Sequence, residues 1–99
     1  MANICNNTLY ATTDNVEALH FIKNFIDDNF VAFSDIDERD CVLDSDFESK
    51  WSFPEELMEK MTNQLKHVED LYIRVLSVEY GCDYVALTKY IDGEWIAIV

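Results

Sequence analysis

A chain of 99 residues with 49% hydrophobic and 13% aromatic content buries about 60 to 65% of its unfolded surface, enough for one modest core. Residues 1–99 are therefore expected to form a single domain. Twenty Asp and Glu against seven Lys and Arg give a net charge of −13, which repels nucleic acid and anionic lipid. A direct nucleic-acid binder or phosphate-binding enzyme would need a local basic patch, and Lys23, Arg39, Lys50, Lys60, Lys66, Arg74 and Lys89 are scattered singly.

The opening Asn3 to Thr13 is rich in β-branched and alternating residues and reads as a strand with Cys5 and Leu9 on one face. Thr13, Asp14 and Asn15 then supply helix-capping side chains, with Glu17 in capping-box spacing from Asp14. Residues 14–28 follow as an amphipathic helix whose apolar arc is Ala18, Leu19, Ile22, Phe25 and Ile26. His20 falls next to that arc.

Two strands are expected next, Phe30 to Glu38 and Cys41 to Lys50, joined by a turn at Arg39 and Asp40. In the second, Leu43, Phe47 and Trp51 share one parity and Asp44, Asp46, Glu48 and Lys50 the other, as a half-buried strand requires. Trp51 is accordingly expected to plug the core at the strand's end.

Ser52-Phe53-Pro54-Glu55 matches the capping box S-x-x-E, with Pro54 in the first turn and Glu55 and Glu56 complementing the helix dipole. Leu57, Met58, Met61, Leu65 and Val68 form one stripe, so this helix is expected to run to about residue 68. Asp70 to Tyr80 and Tyr84 to Ile91 are strong strands joined by Gly81-Cys82-Asp83, and both are apolar on both parities, which suits central positions. Asp92-Gly93 is a type I′ hairpin signal, after which residues 94–99 fold back as a last strand or cover an edge. The order is βαββαββ with a tail strand, an α+β sandwich of a largely antiparallel sheet with two helices on one face.

Several segments are similar to one family. Ala2-Asn3-Ile-Cys-Asn-Asn-Thr-Leu9 resembles the N-W-C-x-N-x-L opening of the Api92-like, or YubB ferredoxin-like, domains of phages and plasmids, with Ile4 in place of the usual aromatic. Phe47-Glu-Ser-Lys-Trp-Ser-Phe-Pro54 resembles that family's F-x-T-x-W-S-P-P segment. Glu79-Tyr-Gly-Cys-Asp-Tyr84 and Tyr90-Ile-Asp-Gly-Glu94 resemble its closing hairpin. The family's longer middle region, with its W-G-T-K-W-D stretch, is missing from this chain. The resemblance implies a ferredoxin-like fold without an iron–sulfur cluster and an origin in a mobile element. It carries over no catalytic residue.

The candidate site is the acidic run from Asp35 to Glu48, where Asp35, Asp37, Glu38, Asp40, Asp44, Asp46 and Glu48 accompany a single arginine. On a strand, Asp44, Asp46 and Glu48 project from one face at about 6.6 Å intervals, a row of charge on the scale of a nucleic-acid backbone. A calcium loop is disfavoured, because the run has no glycine and no EF-hand spacing. Two glycines leave no Walker, Rossmann or nucleophile-elbow motif, so no enzyme, metal or cofactor is expected. The odd count of Cys5, Cys41 and Cys82, without CxxC spacing, suits reduced thiols. No apolar run approaches the roughly 18 residues of a membrane span, and the start MANICNNTLYATTDN lacks signal-peptide character, which gives an expected cytoplasmic location and no membrane partner. The expected function is that of an acidic phage-type protein that inhibits a host defence nuclease complex, of CRISPR or restriction type, by occupying its basic nucleic-acid-binding surface. The alternative is a small-ligand or self-associating module, a homodimer included, that uses the sheet face or the C-terminal hairpin.

Overall fold

The computed structural model describes residues 3–99, apart from the side chain of Cys82. The expectations that touch Ala2 and the Cys82 thiol lie outside the described residues. Along the chain come β1 (Ile4–Thr12), α1 (Val16–Asn29), β2 (Ala32–Asp37), β3 (Val42–Lys50), α2 (Glu55–Asn63), β4 (Tyr72–Glu79), a 3-10 turn (Tyr80–Cys82), β5 (Tyr84–Ile91) and β6 (Glu94–Ala97). The strands form one six-stranded sheet in the order β2-β3-β1-β4-β5-β6, every neighbouring pair antiparallel. Among the described residues no helix is long and apolar enough to cross a membrane.

Period-two patterning selects the buried face. Leu9 and Ala11 of β1, Leu43 and Phe47 of β3, and Ile73 and Val75 of β4 are buried against Leu19, Ile22 and Ile26 of α1 and Met58 and Met61 of α2. Both helices thus cover one face, as the α+β expectation has it. β4 and β5 do take inner positions in the sheet, yet their second apolar face stays uncovered: Leu76, Val85 and Ile91 are exposed.

Of the three expected capping residues Asn15 caps α1, its side chain accepting the Ala18 N–H at 3.1 Å, one residue later than the capping-box spacing from Asp14 implies. α2 begins after Pro54 with no side-chain cap and ends at Asn63. Beyond it, tight turns from Thr62 to Leu65 and from Leu65 to Val68 keep those two apolar residues buried without continuing the helix. Leu57 is only half-buried.

Trp51 is not a core plug. β3 stops at Lys50, Trp51 takes φ +70°, and it is 53% exposed. The Ser52 N–H donates to the Lys50 carbonyl at 2.8 Å across Trp51, and the Glu55 N–H donates to the Phe53 carbonyl at 2.9 Å across Pro54 (φ −81°, ψ 73°). These are two three-residue turns in close succession. The first breaks the strand's parity at the tryptophan, so alternation past Lys50 no longer predicts which way a side chain points. Ser49 ends the buried row instead, donating to the Ser52 carbonyl at 2.8 Å.

The other tryptophan takes the core-edge role. Trp95 packs against Tyr90 and Phe53, each with ring centroids 5.4 Å away, and its indole N–H donates to the Thr62 hydroxyl at 3.0 Å. Asp92 (φ +53°) and Gly93 (φ +82°) form the left-handed pair that a type I′ turn needs, and β6 duly folds back on β5. Past Ala97, Ile98 and Val99 both donate to the Leu87 carbonyl while Leu87 donates back to Val99, a bulge that carries the pairing to the last residue.

Candidate functional site

The acidic run folds into the β2–β3 hairpin. Its turn is closed by Asp37, whose Oδ1 accepts the Arg39 and Asp40 N–H groups at 3.0 and 3.2 Å. This local side-chain bond is the usual reason for aspartate at such a corner. Cys41 then turns the chain at φ +57°, and the Thr12 hydroxyl donates to its carbonyl at 2.9 Å, fastening the turn to β1.

Five of the seven predicted carboxylates come together. Asp35 pairs with Asp44 and Phe33 with Asp46 across β2 and β3, so Asp35, Asp37, Asp44, Asp46 and Glu48 share the uncovered face of the sheet, all exposed. The other two leave that row. Glu38 reaches toward α1, its Oε1 2.8 Å from Nε2 of His20, and Asp40 sits in the turn. His20, next to the apolar arc of α1, is thus exposed and paired with Glu38.

The basic residues are less scattered than in sequence. Asp35, Asp44, Tyr10, Arg74 and Lys89 fall on one line across five strands, followed by Ile96 on the sixth. The Arg74 guanidinium lies 4.4 Å from the Tyr10 ring centroid and Lys89 Nζ lies 5.8 Å from that of Tyr72, within cation–π range. The uncovered face is therefore graded: five carboxylates with Lys50 and Phe33 on β2 and β3, and Arg74, Lys89, exposed aliphatic side chains and Glu94 on β4 to β6. The tyrosines at Tyr10 and Tyr72, ring centroids 6.4 Å apart, mark the seam.

Beneath this face runs a buried polar line that sequence reasoning missed. Asn7 Nδ2 donates to Ser49 Oγ at 2.9 Å and to the Phe47 carbonyl at 3.2 Å, and the Ser77 hydroxyl donates to Asn7 Oδ1 at 2.7 Å. Three strands are tied by one amide whose side-chain atoms are all partnered. The signal was Asn7, Ser49 and Ser77 sharing the parity of their strands' apolar residues. Burial pushes the adjacent Cys5 thiol above its ordinary range, a shift tempered by its hydrogen bond to Ser49, so Cys5 is held as an unreactive thiol. Phe33, 81% exposed on β2, stands across from Asp46 on the uncovered face.

Compared with known proteins, the chain matches no family model, no curated protein and no solved structure.

Proposed function

We propose that this chain is a non-enzymatic interaction protein whose acidic half-face occupies a basic nucleic-acid-binding surface of a host defence nuclease complex, thereby inhibiting it. The observation that carries this reading is the gathering of Asp35, Asp37, Asp44, Asp46 and Glu48, all exposed, on one face of a single hairpin. A rigid row of like charge attracts a basic groove over a Debye length and excludes the polyanion that the groove was built for. The Api92-like resemblance supports a mobile-element origin. The ferredoxin-like architecture that it implies is supported by the order β2-β3-β1-β4 within β1α1β2β3α2β4, to which β5 and β6 would be an appended hairpin.

The test is nucleic-acid cleavage by purified CRISPR effectors and restriction nucleases, with and without the protein. Inhibition that is relieved by added salt and lost in the triple variant Asp44→Lys, Asp46→Lys, Glu48→Lys is the expected result. Absence of inhibition across the panel, or inhibition indifferent to both salt and charge reversal, rejects the proposal. A second reading, self-association, is favoured by the exposed Leu76, Val85 and Ile96 on β4 to β6. Sedimentation of the protein before and after Val85→Asp decides it.

A further inference from the structure

We infer that the protein carries an anchor site beside its acidic row: a cleft at the β3–α2 junction that receives an aromatic side chain from a lysine- or arginine-rich segment of a protein partner. The inference rests on the proposed acidic-face reading and adds a contact that charge alone would not supply.

The cleft, about 710 Å³ and shallow and open to solvent, lies between the end of β3, the turn after α1 and the first turn of α2, room for one side chain to lie against its walls. Phe30 and Phe53 line it as aromatic walls. Both rings are braced from behind, Phe30 by Phe47 at 4.7 Å and Phe53 by Trp95 at 5.4 Å between centroids. An incoming ring therefore meets walls that are already ordered and incurs little further entropy cost. Val31, 70% exposed, stands at the margin. A smaller cleft of about 240 Å³, reaching Thr8, Phe33 and Asp46, shares both Val31 and Glu48 with it. The two lie side by side, meeting at Val31 and Glu48, between the acidic row and α2.

The charge of the lining selects the occupant. Glu48, Glu55 and Glu56 line the cleft and, among the described residues, Lys50 is its single base, so a free acid or an acidic segment is repelled while a basic segment is drawn in. The net charge of −13 disfavours a second copy for the same reason. An aromatic anchor on a basic segment satisfies the apolar walls and the carboxylates at once, with the buried anchor carrying most of the binding energy, as at other interfaces.

Three capped peptides test it on the full chain by 15N-HSQC titration: acetyl-Lys-Lys-Phe-Lys-Lys-amide, the same peptide with Ala for Phe, and acetyl-Glu-Glu-Phe-Glu-Glu-amide. The lysine–phenylalanine peptide is expected to shift the amides of Ile4, Val31, residues 50–53 and residues 55–57. It should bind at least about tenfold more tightly than its alanine counterpart, the weight of burying one aromatic side chain, with the glutamate peptide silent. Val31→Ser, at an exposed position that leaves the fold intact, should weaken the phenylalanine peptide severalfold and leave the alanine peptide unchanged. Equal affinity of the two lysine peptides overturns the anchor site, as does a shift map centred on Leu76, Val85 and Ile96. A dimer that fills the cleft and is dissociated by Val31→Ser overturns it too. The acidic-face reading is judged apart, by whether the alanine peptide shifts Asp44 and Asp46 and whether charge reversal there abolishes it.

Discussion

Asp35 stands directly across the β2–β3 ladder from Asp44, two carboxylates in register on an uncovered sheet face. Like charges so placed destabilise a sheet, and the nearest residue along the line is Tyr10 rather than a base. Replacing Asp35 by Lys should raise stability by about 0.2–1 kcal/mol at low ionic strength, a gain that shrinks with salt. Denaturant unfolding at two salt concentrations measures it, and an unchanged or lowered midpoint would show that the pair is not repulsive.

The two tryptophans should behave oppositely. Trp95→Ala removes a ring wedged between Tyr90 and Phe53 and leaves the Thr62 hydroxyl without its indole donor, at a cost of about 3–5 kcal/mol. Trp51→Gly relieves a left-handed non-glycine residue and should leave stability unchanged or raised by up to about 1 kcal/mol. Thermal melts of the two variants separate the roles, and a large loss on Trp51→Gly would return that residue to the core.

Asn7 ties β3, β1 and β4 through Ser49, the Phe47 carbonyl and Ser77. Asn7→Ala strands those buried partners and should cost about 1–3 kcal/mol beyond the lost packing. A double-mutant cycle with Ser77→Ala should show coupling. Strict additivity would mean that the two groups act separately.

Asp70 should set part of the acid limit of stability. The Asp14 N–H, at 2.7 Å from Oδ2, and then the Thr13 hydroxyl hold its carboxyl below the usual carboxylate range. A folded pKa below the unfolded one stabilises above the unfolded value of about 4, and that contribution disappears as pH falls through the folded pKa. Asp70→Asn should therefore lower the midpoint at neutral pH and flatten its decline below about pH 4. An unaltered acid limb would exclude Asp70 as a contributor.

Thiol labelling should rank the two described cysteines. Cys41 is partly exposed in the hairpin turn, whereas Cys5 is buried with its thiol held protonated. Peptide mapping after brief alkylation of the native protein should find Cys41 modified well before Cys5, and comparable labelling would indicate that β1 opens readily.

Much of this was legible in the chain because its causes are local. Alternation in β1 and β3 identified which residues face the helices, whereas β4, apolar on both parities, left its buried face open, and Asp92-Gly93 announced the last hairpin through its need for positive φ. The acidic row was visible as Asp44, Asp46 and Glu48 at a spacing of two. What misled was also local. The capping box at Ser52 and the parity of Trp51 are both overruled by the two tight turns at Trp51 and Pro54, where backbone hydrogen bonds spanning three residues replace the ladder and the cap.

By itself the sequence determined the net charge, the strand and helix periodicities and the concentration of carboxylates between Asp35 and Glu48, because each is a property of neighbours along the chain. Only the tertiary structure decided that Asp35 faces Asp44, that Arg74 and Lys89 line up beyond Tyr10, that Asn7 bridges three strands, and that Phe30 and Phe53 face a common cleft. Those relations join residues far apart in number, and strand order and register, set by burying one face of the sheet against two helices, are what bring them together.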